Sequence, residues 1–154
     1  MGSEMCIRDR SIGVLIMTIN QRKKGHDFER KVAKMLQEDL GLIKPIRRIL
    51  NQYQEKNHPD LQLGRWNIEC KAYKKGFEPA SAWWEQVLGV SSEGQIPVLV
   101  YKFDNKPIRI RVQAKVLNPA LDNEDKLLDL NWDSFIYLLR TLYNEDLELS
   151  LIHI

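Results

Sequence analysis

Between Arg65 and Ala72 the chain alternates without a break. Arg65, Asn67, Glu69 and Lys71 fall on one side, Trp66, Ile68, Cys70 and Ala72 on the other. A period of two is that of a half-buried β-strand. Just upstream, Asp60 and Gln62 alternate with Leu61 and Leu63, which predicts a second short strand. Only Gly64-Arg65 need separate the two, and Gly-X is a two-residue hairpin turn of the II′ type. That turn opposes Leu63 with Trp66, Gln62 with Asn67, Leu61 with Ile68, and Asp60 with Glu69. Apolar then meets apolar and polar meets polar, so the register is self-consistent.

The same register sets two carboxylates opposite each other, with Cβ atoms roughly 5 Å apart, which destabilises a sheet unless something offsets it. A hard divalent cation, which takes carboxylate and carbonyl oxygens, would do so. Lys71 follows Glu69 by two residues and projects from the same face. Two acids for a metal beside one amine suit phosphodiester hydrolysis. An ordinary amphipathic hairpin can carry Asp, Glu and Lys as well, so the rest of the chain has to decide between the two.

A length of 154 residues predicts one domain with room for a sizeable core. No apolar run approaches the roughly 20 residues that span a bilayer. Cys6 and Cys70 are too few for a disulfide framework, and the expected setting is reducing and cytoplasmic. The net charge of +2 hides an asymmetry: residues 121–154 carry −6 and residues 1–120 carry +8. The basic excess is densest at Arg22-Lys23-Lys24, Arg30-Lys31, Lys34, Arg47-Arg48 and Lys74-Lys75. Segregation of this kind points to a polyanionic partner on the basic side.

Residues 1–16 and 146–154 are expected to be non-native or disordered extensions around a single domain at 17–145. The apolar run Ile12–Met17 is shorter than a signal-peptide core of about 7–15 residues and lacks a small-residue cleavage site. From His26 to Leu40 the spacing becomes helical, with Phe28, Val32, Met35, Leu36 and Leu40 in one stripe and Gly41 just past the end. Glu29 lies on the flank of that stripe near the helix start, where negative charge is favoured. Ile43–Leu50 reads as a strand, at an edge because of Pro45. Residues 51–58 read as a polar loop.

Lys74-Lys75-Gly76 is a basic turn, and Ala80–Val90 a helix with Trp83, Trp84, Val87 and Leu88 on its apolar side and Gln86 beside them. The Trp pair is read as packing. Ile96–Phe103 is a nearly continuous apolar run, as for a central strand covered on both faces. After a turn at Asp104–Pro107, Ile108, Ile110 and Val112 alternate with Arg109, Arg111 and Gln113 in a further strand. Residues 118–130 read as an acidic loop, and Asn131 caps a last helix through Phe135, Leu138, Leu139, Leu142 and Tyr143.

With Pro59-Asp60, Trp66-Asn67-Ile68-Glu69-Cys70-Lys71 and the acid in Gly25-His26-Asp27-Phe28-Glu29-Arg30, the chain resembles the PD-(D/E)xK nuclease superfamily. The likeness is to its Holliday-junction-resolvase-like and phage-type endonuclease members, and it runs from about Gly25 to Tyr143. Gln86 stands where relatives often have Gln, and Pro97–Lys102 and Trp132-Asp133-Ser134-Phe135 also match in kind. His26 and Asp27 depart from the motif.

The resemblance implies an α/β fold, a restriction-endonuclease-like core with a central mixed β-sheet flanked by α-helices. It implies a DNA endonuclease dependent on Mg²⁺ or Mn²⁺. By position, Asp60, Glu69 and the backbone carbonyl of Cys70 would ligate the metal, and Glu29 would act through water or on a second ion. Lys71 would orient the attacking water and stabilise the charged phosphate, with Gln86 in support. Arg22, Lys23, Lys24, Arg30, Arg47, Arg48, Lys74 and Lys75 would contact DNA. The finer expectation is a homodimer acting on branched DNA such as a Holliday junction. The alternatives are a restriction-like, nicking or repair nuclease with the same site, or a non-catalytic nucleic-acid-binding module of the same fold.

Overall fold

A computed structural model describes residues 2–43, 46–48 and 59–145. The loop expected at 51–58 and the tail at 146–154 lie outside the described residues. Helix α1 spans Gly2–Leu40, followed by β1 Arg47–Arg48, β2 Leu61–Leu63, β3 Trp66–Tyr73, α2 Ser81–Gly89, β4 Ile96–Phe103, β5 Arg109–Gln113, β6 Leu127–Asn131 and α3 Trp132–Leu142. The strands form one six-stranded sheet in sequence order, β1 to β6. β3 and β4 run parallel and every other neighbouring pair is antiparallel, so the sheet is mixed. This is the α/β, restriction-endonuclease-like core that the resemblance implies.

The hairpin forms in the expected register: Leu61 opposite Ile68, Gln62 opposite Asn67, Leu63 opposite Trp66. Gly64 takes a φ of 56°, the left-handed value that the first position of a II′ turn requires. Trp66, Ile68, Cys70 and Ala72 then all face α1 and α3, packed with Phe28, Val32, Leu36, Val98, Val100, Phe135 and Leu139. Trp66 is fully buried and meets Phe135 and Tyr143 edge-on, at 6.1 Å and 4.7 Å between ring centres. The opposite sheet face carries α2, whose Trp84 and Val87 close over Leu99, Tyr101 and Phe103. Trp83 stacks on Tyr73 at 4.8 Å, so both tryptophans pack against protein as expected.

Several expectations are corrected. The alternating strand β3 is buried on both faces rather than half-buried: Asn67 is 1% and Glu69 2% exposed. α2 and the turn after it cover the polar side, and Asn67 Nδ2 donates to the Val90 carbonyl, Ser91 Oγ and Gln95 Oε1. The helix expected from His26 begins at Gly2. Of the strand expected at Ile43–Leu50, the described residues show Arg47–Arg48, at the sheet edge as foreseen. The acidic stretch 118–130 ends in a strand, β6, because Leu128 and Leu130 pack on the core and Asp129 is held by Arg111 across β5. Leu88 points to solvent rather than to the core.

The helix ends follow the sequence. α1 stops in a Schellman motif, with the Leu42 N–H bonded to the Gln37 carbonyl and the Gly41 N–H to that of Glu38. α3 is capped by Asn131, whose Oδ1 accepts the Ser134 N–H at 2.8 Å.

Candidate active site

Because the alternate residues of β3 are locked into the core under α1, Glu69, Lys71 and Tyr73 must face α2. Asp60 sits just before β2, where the ladder would continue past Leu61–Ile68, and its Oδ2 accepts the Cys70 N–H at 2.8 Å. α2 brings Gln86, whose Nε2 donates to Glu69 Oε1 at 2.8 Å. Lys71 Nζ lies 3.8 Å from the same oxygen. The other carboxylate oxygen of Glu69, Oε2, is buried with no hydrogen-bond partner among the described residues. α1, from the other face of the sheet, contributes Glu29 and His26 to the cleft wall, with His26 Nδ1 3.7 Å from Glu29 Oε2. Together these side chains line a cleft of about 310 Å³.

The cleft holds its acids away from their ordinary ionisation. Glu69 is pushed up to about 8, first by burial and next by the charge of Asp60. Asp60 is raised to about 6, again first by burial and next by Glu29, while the Cys70 N–H and Lys71 pull it down. Both shifts run the same way: with no cation between them, burial and mutual repulsion disfavour charge on the facing acids. The Cys70 thiol is buried and raised well above the usual thiol range, which makes it inert as a nucleophile.

Facing carboxylates that repel each other's charge form a hard-oxygen donor set of the kind that takes a divalent cation. Two carboxylates and a main-chain carbonyl suffice for such ions, which keep several waters. Among the described residues no three His, Cys, Asp or Glu side chains gather into a metal-holding group. Glu29 is in the cleft wall, near enough to raise Asp60, rather than in a three-side-chain cluster with it.

The basic residues expected to meet DNA are only partly brought together. Arg22 lines the cleft itself. Lys24 is paired with Asp104, which is also under the charges of Lys102 and Lys74, so these three lysines gather around one acid. Lys23 and Lys75 are exposed, and Arg30 turns to Asp27 at 3.6 Å. Arg47 and Arg48 form β1 at the sheet edge; their side chains lie outside the described residues.

Tyr73, Gln21 and His26 also line the cleft without having been expected at the site. Tyr73 follows Lys71 by two on the same strand face, a signal that was available. Gln21, whose Nε2 donates to the Ala72 carbonyl at 2.6 Å, lies two turns before Glu29 on α1, upstream of where the helix was expected to start. His26, noted as a departure from the motif, stands one turn from Glu29.

A mixed sheet between helices, with an Asp, a Glu-x-Lys strand and a helical Glu converging on one cleft, defines the PD-(D/E)xK class of nuclease. The family described as phage putative PDDEXK endonuclease matches residues 20–149, and the chain belongs to that family. No curated protein and no solved structure matches the chain. Among the described residues no helix is long and apolar enough to cross a membrane.

Proposed function

We propose that this endonuclease cuts DNA in a divalent-metal-dependent reaction centred on Asp60, Glu69 and Lys71. The observation that carries the reading is Glu69: a buried acid facing Asp60, with one oxygen held by Gln86 and 3.8 Å from the Lys71 ammonium. Asp60, Glu69 and the Cys70 carbonyl would hold Mg²⁺ or Mn²⁺, with Glu29 acting through water. Such an ion, when bound, lowers the pKa of its water far below the bulk 15.7 and offsets phosphate charge. Gln86 keeps the Glu69 carboxylate from rotating away. Lys71 supplies an ammonium for the charge that develops on the phosphate oxygens, an electrostatic contribution made without reorganisation. Arg22 at the cleft edge, with Lys24, Lys74 and Lys102 near Asp104, would hold the phosphate backbone.

The finer reading is a homodimer that acts on branched DNA, a Holliday junction included. Its support is the resemblance to junction-resolvase-like members, since two symmetric strands need two sites. A restriction-like, nicking or repair nuclease would use the same cleft. The experiment is to mix the protein with labelled duplex and four-way-junction DNA in Mg²⁺, then in EDTA. Cleavage in Mg²⁺ that EDTA stops is the expected result. Salt-sensitive binding with no cleavage in either would replace the enzyme with a binding module.

A further inference from the structure

Beyond α2 the same sheet face carries a second cavity, of about 250 Å³, lined by Phe77, Tyr101, Phe103, Lys106, Pro107 and Arg109. Its walls are aromatic and its rim is cationic. Lys106 Nζ lies 4.7 Å from the centre of the Phe77 ring and 5.8 Å from that of Phe103. Lys106 forms no ion pair among the described residues, and Arg109 lies against the Tyr101 hydroxyl, within reach of the charge of Asp129, which Arg111 holds.

Phe77 is 68% exposed, a large ring left in water on one side of an aromatic cavity. The loop that presents it is built for the purpose. Gly76 has a φ of 152°, and a Cβ there would come within 2.3 Å of Phe103 Cε1, so the ring leaves no room for a side chain at that position. Lys106 then ties the loop down by donating to the Gly76 carbonyl at 2.5 Å.

An unbroken row of rings joins this cavity to the cleft. Tyr73 lines the cleft and stacks on Trp83 at 4.8 Å; Trp83 meets Phe103 at 5.9 Å, and Phe103 meets Tyr101 at 6.1 Å. Trp83 alone therefore separates a ring of the cleft from a ring of the cavity.

We propose that the Phe77–Phe103 cavity is a subsite for an unpaired nucleotide of the DNA substrate, its base stacked on Phe77 and its phosphate held by Lys106 and Arg109. The inference rests on the nuclease reading and sharpens it to DNA with a single-stranded segment beside the cut. Aromatic rings give stacking surface to any base, and rim cations complement the backbone. A paired base, stacked inside its duplex, cannot enter.

The test is fluorescence anisotropy in EDTA, with a labelled paired duplex and the same duplex carrying a run of unpaired thymidines. Wild type is expected to prefer the second DNA. Phe77→Ala is expected to shrink that preference about tenfold, and Phe77→Trp to restore it, as stacking on one ring requires. Phe77 is exposed, so its truncation leaves the fold intact. A wild type that binds both DNAs equally, or an unchanged preference in Phe77→Ala, overturns the subsite. Cleavage in Mg²⁺ is read separately. Cutting without the preference removes the subsite alone, and the preference without any cutting removes the nuclease reading alone.

Discussion

The carboxylate of Asp60 accepts the amide of Cys70 at 2.8 Å, so the acid on one arm of the hairpin is bonded to the residue directly after Glu69 on the other. The two acids are thereby held together by main chain, in a site where burial already disfavours charge. The fold prefers them protonated: Glu69 moves from 4.5 to about 8 and Asp60 from 3.8 to about 6. Stability present below the ordinary carboxylate values is then lost as the pH rises through 6 and on through 8. In EDTA the melting temperature should fall between about pH 4 and about pH 8, and Glu69→Gln, which cannot ionise, should flatten the fall. Equal slopes for wild type and variant would show that Glu69 is not the group responsible.

Gln86 is exposed on α2 yet bonded to the buried Glu69, and the proposed role is to position that acid. Gln86→Ala should lower kcat about tenfold or more while leaving the KM for DNA nearly constant, as when the partner of a metal-site acid is removed. A rise in KM with kcat intact would place Gln86 in DNA binding instead. Rescue by Gln86→Asn is not expected, because the shorter side chain falls short of Glu69.

Asn67 faces the same way as Glu69 two residues earlier, and it ties β3 to the turn after α2. Asn67→Ala should cost about 2 kcal/mol, since three half-buried acceptors lose their donor and a fully buried side chain is cut away. Urea unfolding would give the figure. Because the turn it holds follows the helix that carries Gln86, cleavage should fall as well, by less than in Gln86→Ala.

Where side-chain periodicity and turn chemistry agreed, the sequence was read correctly. Gly64-Arg65 and the flanking alternation gave the hairpin register residue by residue, and Asn131 gave the start of α3. Reading failed where tertiary contacts override local pattern. Asn67 and Glu69 look like solvent-facing residues until α2 covers them. Leu127–Asn131 looks like loop because Asp129 breaks its apolar character, and its strand exists through pairing with β5 and the Arg111 fork. Glu29 could be placed on a helix flank from spacing, but its approach to Asp60 depends on how α1 crosses β3, which no local pattern encodes. The cavity under Phe77 was missed for the same reason, since its walls come from three separate stretches of chain.

The central claim is that Glu69, opposite Asp60, is part of the centre that cuts. Glu69→Gln keeps the shape of the side chain and removes its ability to carry charge, so the single-turnover cleavage rate of labelled four-way-junction and duplex DNA in saturating Mg²⁺ tests it directly. The account predicts a loss of at least about a hundredfold, with binding measured in EDTA retained. Cleavage at the wild-type rate by folded Glu69→Gln would contradict it.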